Sequence, residues 1–147
     1  MADIRISALS AKGSNLANTD LIAISEFVSG STYTSKKVTG AELKGSAINA
    51  QTATTYNLVL TDAHKTVTLT NGSAIIARIP LNSGTAFPIG TRIELIQGGA
   101  GQVTVTPTSG VTVNSSGGKT KLAAQYAQAT ILKTATDTWY LFGDITT

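Results

Sequence analysis

Asp62-Ala63-His64 carries residue types that could do chemistry, because a carboxylate stands two residues before the only histidine of the chain. Such a pair could act as an oriented base or as two metal ligands. Asp also commonly caps backbone amides in turns, and the triplet lies between the apolar residues Leu60 and Val67. We interpret it as a turn. One histidine and no cysteine argue against a zinc site.

Gly98-Gly99-Ala100-Gly101 raises the question of a phosphate-binding loop. Such loops bind through the amides at a helix N-terminus, whereas alternating apolar and polar residues flank these glycines on both sides. We therefore predict that residues 97–102 form a hairpin turn, in which glycines supply positive φ angles.

Gly117-Gly118-Lys119-Thr120 ends like the phosphate-loop signature G-x-x-x-x-G-K-[ST]. The first glycine of that signature would fall at position 113, which is Val113, so we reject a phosphate site here. No G-x-S-x-G elbow exists, and no pair of carboxylates stands out for glycoside hydrolysis. A calcium site with oxygen ligands stays open, although no acidic loop repeat supports it. The sequence thus predicts no catalytic residue, no cofactor and no metal, and a protein that is not an enzyme. The enzymatic alternative is a depolymerase whose sparse carboxylates converge in a cleft.

Composition narrows the classes of partner. Charged residues make up 13% of the 147 residues, against roughly 25% in typical soluble domains. The net charge of +3 is scattered, with Lys36-Lys37 as the only basic pair, which argues against nucleic-acid binding. No run approaches the ~20 apolar residues of a membrane helix, and the opening MADIRISALS lacks the apolar region of a signal peptide. We expect a soluble protein made in the cytoplasm, with no membrane insertion.

The elements that would position any site are strands. Val67 alternates with Thr66 and Thr68, and the same period of two recurs from 75 to 79 and from 92 to 95. Turn residues separate these runs. We predict an all-β fold for residues 56–147, an antiparallel β-sandwich or roll. Residues 138–143 are apolar on both faces, which is typical of a central strand or an interface strand.

The first 45 residues have too few apolar side chains for a core of their own. Residues 20–24 and 32–38 are predicted to pair as a small hairpin, and the capping-box spacing of Thr39 and Glu42 predicts a helix of one or two turns. We interpret residues 1–45 as an attachment and oligomerisation segment, followed by a linker over 46–55. The residues we expect to carry attachment or assembly are apolar: Ile4, Ile6, Leu9, Leu21, Ile22, Ile24 and Leu43.

From residue 50 onward, TDAHKTVTLTNGSAIIARIP, FPIGTRIELIQGGAGQVTVTP and AAQYAQATILKTATDTWYLFGDI resemble a module of tailed-bacteriophage fibre and surface proteins. ISALSAKGSNLANTDLIAISE followed by KKVTGAEL is similar to leader segments of phage fibre and virion proteins. The resemblance implies a virion component, commonly a homotrimer, whose leader attaches it to major capsid or tail proteins while the β module projects outward. It leaves open whether the protein is a head fibre, a capsid decoration or part of the tail.

A second hypothesis is a glycan-binding module that recognises the host surface. Aromatic rings stack on the apolar faces of sugars. The residues we predict as possible platforms are Tyr33, Tyr126, Trp139 and Tyr140.

Overall fold

The computed structural model describes residues 21–29, 32–39 and 48–147, with side chains from residue 48 onward. The chain divides into two compact units, residues 1–45 and 46–147. In the first, β1 (Leu21–Ser29) pairs with β2 (Thr32–Thr39) antiparallel, with a register shift between Phe27 and Ser29. The pairing of the two predicted hairpin strands is confirmed. The helix predicted to follow lies outside the described residues, apart from Thr39, which ends β2.

The second unit is all-β, as predicted, and consists of two sheets. The six-stranded sheet has the order β3 (Ile48–Gln51), β5 (Thr66–Leu69), β7 (Arg92–Gln97), β11 (Gln128–Ala135), β12 (Thr138–Gly143), β9 (Thr112–Ser115). The five-stranded sheet has the order β13 (Ile145–Thr146), β10 (Lys121–Leu122), β8 (Val103–Pro107), β6 (Ile75–Ile79), β4 (Thr55–Asn57). Two single-turn 3-10 helices, Leu60–Asp62 and Ser116–Gly118, lie in the connections.

The strands do not form the predicted antiparallel sandwich or roll, because residues 48–107 wind in successive coils, each made of one strand from each sheet. β3 and β4 form the first coil, β5 and β6 the second, and β7 and β8 the third. From β3 to β8 the chain alternates between the two sheets, so that β3, β5 and β7 are parallel in one sheet and β4, β6 and β8 in the other. Parallel neighbours require a crossover connection, and here the strand of the opposite sheet supplies it. Antiparallel pairing occurs among the later strands, where β10 joins β8 and β13, and β11 joins β7 and β12. β9 pairs in parallel with β12.

The prediction of a linker over residues 46–55 is wrong, because the stretch contains strand residues. Ile48–Gln51 form β3 and pair in parallel with β5, and Thr55 begins β4. The small and polar composition of this stretch concealed a strand because β3 lies at a sheet edge, where one face and one edge need no apolar cover.

The core lies between the two sheets and follows the predicted alternation. Val67 and Leu69 on β5 are fully buried, as are the inward residues of β6 and β7. Trp139 on β12 lies in the same core, and its ring meets Phe87 edge to face with centroids 5.5 Å apart. Burial of these apolar faces stabilises the unit by about 25 cal/mol per Å².

Residues 97–102 form a turn, but not a hairpin, because β7 and β8 belong to different sheets. Gly98, Gly99 and Gly101 are not among the glycines with positive φ, so their role is different from the predicted one. A Cβ on Gly101 would lie 1.8 Å from the carbonyl oxygen of Ser73, and one on Gly99 2.2 Å from that of Asn71. The glycines are needed because this turn stacks directly on the preceding coil.

Candidate functional site

Asp62 and His64 point to different environments. The Asp62 side chain is buried, with 1% of its surface exposed, whereas His64 is exposed and has a positive φ of 60°. The amides of Asp62, Ala63 and Lys65 donate to carbonyls three residues earlier, so the segment is a turn, as predicted. The hydrogen-bond donors to the Asp62 carboxylate do not include His64, and the pair does not form an oriented base.

The Asp62 carboxylate instead joins three parts of the first coil. Its Oδ1 accepts from the side-chain amide of Asn49 at 2.7 Å, and its Oδ2 accepts from the Tyr56 hydroxyl at 2.8 Å and from the Val59 amide at 2.9 Å. The pKa of Tyr56 is raised to about 12, mainly because the hydroxyl is buried and secondly because it donates a hydrogen bond to Asp62. The Tyr56 hydroxyl therefore keeps its proton well above neutral pH and remains a donor to Asp62.

An open depression of about 220 Å³ lies beside this turn, lined by His64, Lys65, Arg92 and Glu94. Lys65 and Arg92 are the cationic side chains among them. The Glu94 carboxylate accepts a hydrogen bond from the Thr66 hydroxyl at 2.9 Å. The depression can present Lys65 and Arg92 to an anionic group of a ligand.

The outer face of the six-stranded sheet is a broad surface that mixes aromatic and polar groups. Arg92, Leu132, Tyr140 and Asn114 align across four neighbouring strands, and Glu94, Thr130 and Phe142 form the adjoining row. Tyr140 is 47% exposed and Phe142 43%. Since strands lie about 4.8 Å apart, Tyr140 and Arg92 stand roughly 10 Å apart across this surface. We call these seven residues the outer face.

The four aromatic residues predicted as sugar platforms fall in different places. The prediction of Trp139 as a platform is wrong, because its side chain is 1% exposed and lies in the core. Alternation along β12 explains this, since Trp139 and Leu141 point inward and Tyr140 points outward. Tyr126 is 77% exposed in a turn with a positive φ of 70°. Tyr33 lies on β2, opposite Phe27.

The residues predicted for attachment all fall in the first unit. Leu21, Ile22 and Ile24 are on β1, paired with β2. The other four, Ile4, Ile6, Leu9 and Leu43, lie outside the described residues. Their role in attachment stays a prediction.

Lys133 is a site that the sequence analysis did not single out. It is 2% exposed, and its Nζ donates to the side-chain oxygen of Asn82 and to the carbonyl of Phe87, the latter at 2.8 Å. The signal was present in the alternation of β11, where Lys133 is in phase with the buried Ala129 and Ile131. A charged residue at a strand position where the alternation predicts an apolar side chain therefore indicates a buried polar site.

In the described parts of the chain, no three or more His, Cys, Asp or Glu side chains are grouped so that they could hold a metal ion. Across the same residues, no helix has both the length and the apolar character needed to cross a membrane. Comparisons of the chain with protein-family models, with curated proteins and with solved structures find no match.

Proposed function

We propose that the chain is a non-enzymatic structural protein of a tailed-phage virion, an exposed fibre or decoration protein that attaches through its N-terminal segment and projects its β unit. The observation that carries the proposal is the outer face, where Tyr140 and Phe142 remain about half exposed on a wide sheet. Exposed aromatic residues in a contiguous patch are typical of protein interaction surfaces. The sequence resemblance to phage fibre modules gives this surface its context.

The ends of the two sheets add support for assembly. β3 and β4, the first strands of the β unit, are each the edge strand of their sheet, and Ile48 on β3 is largely exposed. An edge strand presents unpaired backbone groups, which neighbouring chains can cover. We propose that copies of this chain associate as a homo-oligomer, expected to be a trimer, and that the particle covers what the oligomer leaves open.

The division of the chain into two units is consistent with a first unit that attaches the protein and a second unit that projects from the particle. The first unit contains the β1–β2 hairpin, and the second contains a core built from both of its sheets. The first unit is the proposed contact to major capsid or tail proteins.

Quantitative mass spectrometry of gradient-purified particles tests this function. We expect the full-length chain to co-sediment with the particle at a fixed ratio to the major shell protein, and to resist removal by a salt wash. A chain that stays in the soluble fraction of the lysate, with only traces on particles, would contradict the proposal.

The second candidate function is recognition of a host glycan, favoured by the position of Tyr140 in one row with Arg92. A sugar ring stacked on Tyr140 would place an acidic substituent within reach of Arg92 and the depression beside it. A glycan array with the full-length protein tests this. We expect acidic oligosaccharides to bind and the signal to be lost in Tyr140→Ala, and an empty array would remove this candidate while leaving the structural role intact.

A further inference from the structure

Lys133 occupies a position in β11 that the strand pattern reserves for apolar residues. Ala129, Ile131 and Lys133 point inward, while Thr130 and Leu132 between them are only partly buried on the outer face. Its partner across the sheet is Trp139, which is also buried. Lysine is almost never fully buried unless its charge is paired. The position therefore requires an explanation beyond packing.

The hydrogen-bond acceptors around the Lys133 amine are uncharged. Nζ contacts the side-chain oxygen of Asn82 and the carbonyl oxygen of Phe87, and it stands 5.8 Å from the centroid of the Trp139 ring. The Phe87 ring meets the Trp139 ring edge to face. The buried amine and the side-chain amide of the half-buried Asn82 are thus held in contact beside the Trp139 ring.

Both partners are fixed by the backbone around them. The amide of Lys133 donates to Thr91 at 2.9 Å, and its carbonyl accepts from Gly90 at 2.8 Å, which ties the loop before β7 to β11. The backbone N–H of Asn82 donates to Oδ1 of Asp137 at 2.6 Å. Groups that are held in contact in this way react as if at very high concentration.

We propose that Lys133 and Asn82 form an intramolecular isopeptide bond after the chain has folded. Nζ first gives up one proton, and its lone pair then attacks Cγ of Asn82; a bond forms between Nζ and Cγ, Nζ loses a second proton, and the bond between Cγ and Nδ2 breaks. A lysine ammonium and a primary amide give a secondary amide and one ammonium ion, so atoms and charge balance without an oxidant, a cofactor or a second protein. Protons lost by Nζ leave with the departing nitrogen.

The product suits its surroundings better than the reactants do. A secondary amide is neutral and keeps one N–H, which the Phe87 carbonyl can accept, so no charge remains buried in the core. Burial of the Lys133 side chain keeps the attacking amine away from bulk solvent. The bond would lock the loop that precedes β7 to a central strand of the six-stranded sheet.

Intact mass spectrometry of the denatured full-length protein tests the bond. We expect a mass lower than that of the sequence by one ammonia molecule, after allowance for removal of the initiator methionine. Proteolysis followed by tandem mass spectrometry should yield a branched peptide that joins the segment containing Asn82 to the segment containing Lys133.

Variants locate the bond. Lys133→Arg and Asn82→Ala should each show the full mass of their sequence, while the controls Lys121→Arg and Asn114→Ala should retain the deficit. A wild-type protein with its full sequence mass would overturn the proposal and leave Lys133 as a hydrogen-bonding clamp, whatever the folding of the variants. A deficit that persists in Lys133→Arg would overturn it equally, since ammonia would then be lost elsewhere.

Discussion

Asn49 and Asp62 are joined by a hydrogen bond of 2.7 Å between the side-chain amide of the first and a carboxylate oxygen of the second. Asn49 lies on β3 and Asp62 at the end of the 3-10 helix Leu60–Asp62, so the bond connects the first strand of the β unit to the turn that precedes β5. With Tyr56 on β4 as a third partner, the carboxylate links the beginnings of both sheets.

Replacement of Asp62 by Ala should therefore destabilise the first coil. Three donors, from Asn49, Tyr56 and Val59, would lose their acceptor, and we expect the free energy of unfolding to fall by about 3 kcal/mol. Denaturant unfolding followed by circular dichroism measures this. Asp144→Ala, at an exposed carboxylate, is the control and should change stability by less than about 0.5 kcal/mol. Equal effects of the two variants would show that the network contributes nothing specific.

The raised pKa of Tyr56 predicts a loss of stability at high pH. The hydroxyl has its ordinary pKa of 10.0 in the unfolded chain and about 12 in the folded protein. Its contribution is therefore fully present below pH 10 and is lost as the pH rises through 12. Thermal unfolding from pH 8 to 12 should show a steeper fall of Tm above pH 10 in the wild type than in Tyr56→Phe. Parallel curves for the two proteins would contradict the assignment.

The stacked turns predict opposite responses at two glycines. Gly101→Ala places a methyl group against the Ser73 carbonyl, so the coil must shift, and we expect a loss of at least about 2 kcal/mol. Gly72 has open space around its Cβ position and no positive φ, so Gly72→Ala should be neutral or stabilising by up to about 1 kcal/mol. Denaturant midpoints of the two variants provide the comparison. If Gly101→Ala is as stable as Gly72→Ala, the close approach of the coils is wrong.

The outer face should matter for association more than for folding. The double variant Tyr140→Ser and Phe142→Ser removes two half-exposed side chains, so we expect a stability change of only about 1 kcal/mol but a clear shift toward monomer in light scattering. Tyr126→Asn removes a more exposed aromatic ring away from the strands and keeps a residue that tolerates positive φ. It should retain the wild-type oligomer. Identical behaviour of both variants would remove the outer face from the assembly.

The period of two revealed which residues enter the core but not which strands pair. Val67, Ile93 and Leu95 are buried as predicted, since alternation reports only the face on which a side chain lies. Parallel coils and antiparallel hairpins share that alternation, and the crossings over residues 52–54, 70–74 and 98–102 are as short as hairpin loops. The arrangement around Gly101 and Ser73 depends on contacts between coils, which no local pattern encodes.

The polar interior was also only partly accessible from the sequence. The turn at Asp62 was predictable because Asp caps backbone amides locally, and its Oδ2 does accept from Val59. Its bonds to Asn49 and Tyr56 arise from the tertiary fold, as does the contact of Lys133 with Asn82. Trp139 was proposed as a platform because composition alone cannot decide which of two apolar faces meets the core.

Cryo-electron microscopy of the purified virion tests the central claim most directly. The account predicts density for the two-sheet β unit on the outside of the particle, in symmetric copies, with the N-terminal segment in contact with a shell or tail protein. Particles that lack this density, together with a chain that is found free in the lysate as an active catalyst, would contradict it.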